Sequence, residues 1–233
     1  MARPFLSLVI PASEEAERLP LALIEADRVF SEAEFAYEIF IVDDLSADAT
    51  SAIAKRFAET LKNVKVIDNP ERRGLGSAMI IGMLAARGNW RVLIPESYGV
   101  PFVELRDTIS RMQAGTSVDV LLLTQAPPFF SHLQRRLADT ILRALFRSQI
   151  SDFSPAAICF SPEAASRIFQ ALKTKRDTAV LESLLLAERM GYRISRSVVQ
   201  GVASLSGRPR HYLQTLYETS KIRWWLWRKK YTV

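Results

Sequence analysis

The feature that most constrains this chain is an apolar run closed by two carboxylates. It reads Tyr37-Glu-Ile-Phe-Ile-Val-Asp-Asp44 and is followed at once by Leu45-Ser46-Ala47-Asp48-Ala49-Thr50. Consecutive apolar residues with no alternation predict a strand buried on both faces, as in a parallel α/β sheet. The Ser-x-Asp-x-Thr that follows supplies turn and N-cap residues, so a helix is expected from Ser51 to Lys62. Open α/β sheets bind ligands at the carboxyl ends of their strands, which is where Asp43 and Asp44 stand. A pair of acids there can accept hydrogen bonds from the base and ribose of a nucleotide. The same residues also spell a plain strand, turn and helix with a capping aspartate.

The pattern recurs along the first half. Phe5 to Pro11 is a buried strand running into an acidic helix start, Ala12 to Pro20. Val64 to Ile67 is a third strand, followed by Asn69-Pro-Glu-Arg-Arg-Gly-Leu-Gly-Ser-Ala78. Gly74 and Gly76 permit close backbone approach, and a helix beginning there presents free N–H groups to an anion. Trp90 to Ile94 and Asp119 to Thr124 read as further strands. Strands alternating with helices argue for an α/β fold, a mostly parallel sheet flanked by helices. With 233 residues, 48% hydrophobic and 24% charged, the chain is globular and long enough for one domain over residues 1–233 with its own core.

Three segments stand in a telling order: Val9-Ile-Pro-Ala-Ser-Glu-Glu15, Val42-Asp-Asp-Leu-Ser-Ala-Asp-Ala-Thr50, and Arg73-Gly-Leu-Gly-Ser-Ala78 with Gly82 and Ala86-Arg-Gly88. In order and spacing they resemble the family 2 glycosyltransferases, in the branch of the dolichol-phosphate mannose and glucose synthases and their bacterial polyprenyl-phosphate relatives. The resemblance covers roughly residues 4 to 205. It implies the GT-A fold, a Rossmann-like nucleotide-sugar domain, and transfer of a hexose to a lipid phosphate. By the same resemblance Pro11, Ala12 and Glu15 belong to the first nucleotide loop. Asp44 is the acid near base and ribose with Asp43 beside it, and Gly74 and Gly76 flank the nucleotide. Asp152 matches an acceptor-side aspartate, and Glu182 the glutamate of a later helix. The chain then divides into a nucleotide-sugar half (1–118), an acceptor half (119–210) and a last helix (211–233).

Departures from the family pattern are as informative. The fourth strand of the family ends in Asp-x-Asp, which holds Mg2+ or Mn2+; here those positions are Pro95-Glu96-Ser97. A divalent ion wants hard oxygen ligands, and of these residues Glu96 alone brings a carboxylate. The family's acceptor Gly-Phe is Ser154-Pro-Ala-Ala157, and the aspartate two residues before Glu182 is Val180. Two readings follow. In one, an active transferase neutralises the diphosphate with Glu96-bound metal or with arginines, for which Arg72, Arg73, Arg208 and Arg210 are candidates. In the other, a catalytically degenerate relative binds ligand or partner without turnover. A nucleotidyltransferase lacks support, since no Gly-rich basic entry follows the first strand.

Net charge +6 fits an anionic partner: nucleotide, lipid phosphate or an anionic membrane surface. Nucleic acid is not expected, because neither a zinc pattern, an RNA-binding aromatic signature nor a long basic stripe is present. A single cysteine, Cys159, in the apolar run Ala156-Ala-Ile-Cys-Phe160, predicts a buried, inert thiol. No run of about 18 apolar residues predicts a membrane span. Met1-Ala-Arg-Pro leads directly into the first strand, leaving no room for a secretory signal, so a cytoplasmic location at the cytosolic face of a membrane is expected.

Two basic amphipathic stretches bear on that location. Ser131 to Ser148 carries Leu133, Leu137, Ile141, Leu142, Leu145 and Phe146 at helical spacing, with Arg135, Arg136, Arg143 and Arg147 between them. It reads equally as a membrane-surface helix or as a helix packed on the sheet with its arginines in water. By resemblance Arg135, Arg136 or Arg143 holds the acceptor phosphate. An acceptor hydroxyl would instead need a general base, for which Asp152 is the first candidate. Ser206-Gly-Arg-Pro-Arg210 resembles the segment that closes over the family's site. Lys221 to Tyr231 then combines three tryptophans with five basic residues and no acid, a composition suited to a membrane interface. The same residues would serve a homo-oligomer interface.

Overall fold

The computed structural model describes residues 3–69, 72–95, 99–125, 139–150, 152–176, 178–199, 212–228 and 231. Glu96, Ser97, Arg135, Arg136, Arg208 and Arg210 lie outside the described residues.

Strand and helix alternate from the start: β1 (Leu6–Ala12), α1 (Leu19–Ser31), β2 (Tyr37–Asp43), α2 (Thr50–Thr60), β3 (Val64–Asp68), α3 (Leu75–Ala85), β4 (Trp90–Leu93) and α4 (Phe102–Gln113). Then come β5 (Val120–Gln125), a helical stretch α5 over 139–146, β6 (Ala157–Phe160), α6 (Pro162–Ala171), α7 (Ala179–Arg189), β7 (Ile194–Val199) and α8 (Tyr212–Trp227). All seven described strands join one sheet in the order β3-β2-β1-β4-β6-β5-β7. β6 runs antiparallel to β4 and β5, and the other pairings are parallel. This is the mostly parallel, helix-flanked sheet expected from the sequence.

Burial on both faces explains the unbroken apolar runs. Leu6, Leu8 and Ile10 of β1 pack with Ile39 and Ile41 of β2 against α1 and α4. Val9 and Phe40 point the other way, into a second core with α3, α6, α7 and α8. Each fully buried Leu, Ile or Phe contributes roughly 1.5–3 kcal/mol. The chain winds outward from β1 through β2 to β3, then returns past β1 to β4. β1 is therefore the topological switch point, and open α/β sheets bind ligands in the crevice beyond the carboxyl ends of the strands at such a point.

At the other end of the sheet a buried polar cluster is fully paired. Glu38 accepts the Ser7 hydroxyl at 2.7 Å, the Lys65 ammonium at 2.7 Å and the Arg87 amide at 3.0 Å.

Several boundaries differ from the sequence expectation, each for a physical reason. Residues 13–18 are a loop, and α1 begins at Leu19 with Pro20 in its first turn, where a missing N–H costs nothing. α2 starts one residue early and ends at Thr60, because Leu61 turns extended. β6 and β7 were not anticipated: the first is four residues long, and the second is an edge strand with polar Ser195, Arg196 and Ser197. The described part of α5 packs on the sheet, with Phe146 buried, Leu142 and Leu145 half-buried and Arg143 exposed. In α8, Ile222 and Leu226 are buried and Trp225 half-buried, while Trp224 and Trp227 are 40% and 77% exposed. Cys159 is buried at the centre of the sheet, and burial pushes its thiol pKa up.

Candidate active site

Register brings the site residues together. β1 and β2 pair so that Ala12 stands opposite Asp43, and β2 and β3 so that Asp43 stands opposite Asp68. Asp44 then leaves the strand with its amide still bound to the Ala12 carbonyl at 2.9 Å. Its carboxylate is 2% exposed. Oδ1 accepts the Asn69 side-chain amide at 2.8 Å and the Arg73 amide at 3.1 Å, and Oδ2 accepts the Gly74 amide at 2.8 Å. A carboxylate has about four acceptor sites, and three of those of Asp44 are taken. Asp43 holds Ser46 through both the amide and the hydroxyl.

The loop after β1 is laced to the loop after β2. Glu14 has φ 56°, and its amide donates to the Ser46 hydroxyl at 3.1 Å. Its carboxylate accepts the Ala47 amide at 2.9 Å and the Arg72 guanidinium at 3.2 Å. The Glu15 amide donates to the Thr50 hydroxyl at 2.8 Å, and the Ala16 amide to Asp48 at 3.1 Å. The N-cap of α2 is Ala49, and Asp48 before it binds the Thr50 amide and hydroxyl and ties the two loops together. What burial it has raises the Asp48 carboxyl, but the Thr50 hydroxyl and amide and the Ala16 amide outweigh that and hold it below the usual range.

Gly74 and Gly76 do allow a close backbone approach, and the backbone is the chain's own. A Cβ on Gly74 would lie 2.5 Å from the Lys175 carbonyl oxygen, and one on Gly76 2.6 Å from the Lys175 carbonyl carbon. Gly74 also has φ 99° and ψ 159°, a region essentially confined to glycine. The Ser77 amide, at the start of α3, donates to the Lys175 carbonyl at 3.1 Å. The loop joining α6 to α7 is held in turn by Glu182, which is fully buried. Glu182 accepts the Lys173 amide at 3.1 Å, the Thr174 amide at 2.8 Å and the Tyr231 hydroxyl.

Pro11, Ala12, Glu15, Asp43, Asp44, Gly74 and Gly76 therefore converge at one end of β1 and β2, with Arg72 and Arg73 beside them. Asp152 is buried in the turn leading to β6, whose first residue, Ala157, pairs with Leu123 near the carboxyl end of β5, and its Oδ1 accepts the Ser154 amide at 2.8 Å. Asn69 and the described residues between α6 and α7 went unread in the sequence. A strand-ending Asn-Pro was the only local sign of the first, and nothing local marks the second.

Glu96 and Ser97, the candidate ligands at the end of β4, lie outside the described residues. Among the described residues no three His, Cys, Asp or Glu side chains gather as metal ligands. At the end of β4 Pro95 offers only a carbonyl, and Asp43 and Asp44 spend most of their acceptor capacity on their own loops.

Comparison with known proteins follows this geometry. Residues 7–94 match the model of glycosyl transferase family 2. A dolichyl-phosphate beta-glucosyltransferase of Dictyostelium discoideum is 26% identical over 217 residues, covering 84% of this chain and 65% of that protein. The chain thus spans just under two thirds of that relative's length. Among solved structures, a mannosyltransferase from Pyrobaculum calidifontis in complex with GDP-Man and Mn2+ superposes with TM-score 0.60 at 21% identity, over 92% of this chain and 61% of that one. Glucosyl-3-phosphoglycerate synthase from Mycobacterium tuberculosis, in complex with Mn2+ and UDP-glucose, gives TM-score 0.70 at 17% identity, over 94% of this chain and 79% of that one. With the family model matching across its first four strands and its fold matching along nearly the whole length, the chain has the GT-A fold and resembles the family 2 glycosyltransferases, the polyprenyl-phosphate sugar synthases among them.

Proposed function

We propose that the chain moves a hexose from a nucleotide sugar to a lipid phosphate of the polyprenyl-phosphate type. The observation that carries this reading is the Asp44 cluster. A nearly buried carboxylate held by three donors stands at the carboxyl end of β2, inside a sheet whose relatives include dolichyl-phosphate glucosyltransferases. In this reading residues 1–118 hold the nucleotide sugar, 119–210 the acceptor, and 211–233 contact an anionic membrane surface at its cytosolic face. Among the described residues no helix is long and apolar enough to cross a membrane.

The reaction is a direct displacement. An oxygen of the acceptor phosphate attacks the anomeric carbon, the bond from that carbon to the diphosphate oxygen breaks, and the electron pair leaves with the nucleoside diphosphate. The configuration at carbon inverts. A phosphomonoester has its second pKa near about 6, so the nucleophile is already ionised at neutral pH and needs no general base. Arg72 and Arg73 stand beside the cluster as side-chain cations that can meet charge on the leaving diphosphate.

The substitution of the Asp-x-Asp positions also favours a second reading, a binding or regulatory module without turnover. Calorimetry with UDP and GDP, each in Mn2+ and in EDTA, together with turnover of UDP-glucose and GDP-mannose on a short-chain polyprenyl phosphate, separates the two. We expect one nucleotide to bind in EDTA, Asp44→Ala to weaken it about tenfold or more, and transfer to be measurable. Binding without transfer supports the module. No binding of either nucleotide in either condition ends the transferase reading.

A further inference from the structure

The described residues between α6 and α7 are fixed from beneath and leave two cations in water. Glu182 accepts the Lys173 and Thr174 amides, the Thr178 hydroxyl donates to Glu218 of α8 at 2.6 Å, and the Lys175 carbonyl accepts the Ser77 amide. A Cβ on Gly74 would meet Arg176 Cγ at 3.2 Å, so the Arg176 stem lies on the glycine whose amide Asp44 holds. The Arg176 side chain is 61% exposed, and its pair with the 14% exposed Glu218 side chain is long, at 3.8 Å. Among the described residues the exposed Lys175 ammonium makes no ion pair.

We propose that Arg176, with Lys175 beside it, is a phosphate-binding residue of the crevice. A guanidinium matches two phosphate oxygens at once, and such charge-assisted pairs are about twice as strong as neutral hydrogen bonds. The pair with Glu218 is long, at 3.8 Å, and Glu218 keeps the Thr178 hydroxyl when the guanidinium turns to a phosphate. Glu182 already holds Lys173 and Thr174, so little conformational freedom is lost when the ligand arrives. Its site lies beside Asp44, in a sequence where Pro95 and Ser97 have replaced the family's metal-binding aspartates. The identity of the ligand rests on the transferase reading above. The phosphate is either the diphosphate of the donor or the phosphate of the lipid acceptor, and the chemistry of recognition is the same for both.

The test is calorimetry in EDTA on the wild type, Arg176→Ala, Arg176→Lys, Lys175→Ala and Glu218→Gln. The probes are UDP, UMP, GDP, GMP, a short-chain polyprenyl phosphate and the uncharged polyprenol. Thermal melts confirm that each variant is folded. If the donor is the source, Arg176→Ala weakens the favoured diphosphate about tenfold or more and leaves its monophosphate unchanged. If the acceptor is the source, the same change weakens polyprenyl phosphate by that factor and spares the polyprenol. Either result supports the proposal, with Arg176→Lys intermediate and Glu218→Gln binding at least as well as wild type. Folded Arg176→Ala binding every phosphate probe like the wild type overturns it. Wild type that binds no nucleotide overturns the donor reading alone, and the lipid-phosphate arm still decides Arg176. Wild type that binds no phosphate probe overturns both.

Discussion

Glu38 and Asp44 stand at opposite ends of β2 and put buried carboxylates to different uses. Glu38 is spent wholly on structure. Burial alone would raise its carboxyl, but the Lys65 ammonium, the Ser7 hydroxyl and the Arg87 amide together hold it below its usual range. A folded pKa below the unfolded one means that stability from this group is present above about pH 4.3 and is lost as pH falls through the lower folded value. Glu38→Gln is therefore expected to melt lower than wild type at pH 7, with the gap closing towards pH 3, as read by thermal denaturation across pH. A gap that stays constant would remove the charge from the account. At this scale the place of Asp43 and Asp44 was legible, because two acids ending an apolar run mark where a buried strand leaves the core. Asn69 and Arg176 were not. Their roles come from side chains and loops that meet only when β3 and α6 are in place.

Among the elements, the start of α3 is the most constrained junction. Gly74 occupies backbone space that other residues enter at a cost of about 1–3 kcal/mol, and any Cβ there runs into the Lys175 carbonyl. Gly74→Ala should lower the melting temperature by roughly 2–12 °C for a chain of this size and weaken nucleotide binding with it. A variant as stable as wild type would show that the Lys175 backbone yields freely. Most elements up to α4 could be read from apolar runs and turn residues, since both faces of the sheet are covered. The loop at 13–18 misled because Glu14, Glu15 and Glu17 look like a helix start, whereas Glu14 takes φ 56° to reach Ser46 and Ala47. β7 was hidden by its polar residues, which an edge strand tolerates.

Across the whole molecule, α8 carries the clearest surface signal. Ile222 and Leu226 are buried in the second core, while Trp224 and Trp227 face outward with Arg223 and Arg228 around them. Large exposed aromatics beside unopposed cations suit an anionic bilayer surface. Trp224→Ala with Trp227→Ala is expected to cut co-sedimentation with phosphatidylserine vesicles about tenfold, at an unchanged melting temperature. Unchanged sedimentation, together with loss of a concentration-dependent dimer, would assign the face to a second copy of the chain. The position of β6 has a consequence for synthesis. It pairs with β4 through Arg91, Val92 and Leu93, yet it follows that strand by more than sixty residues. The nascent sheet must therefore wait on the ribosome with one flank of β4 open. Until residue 160 has emerged, that flank is a template on which neighbouring chains can aggregate.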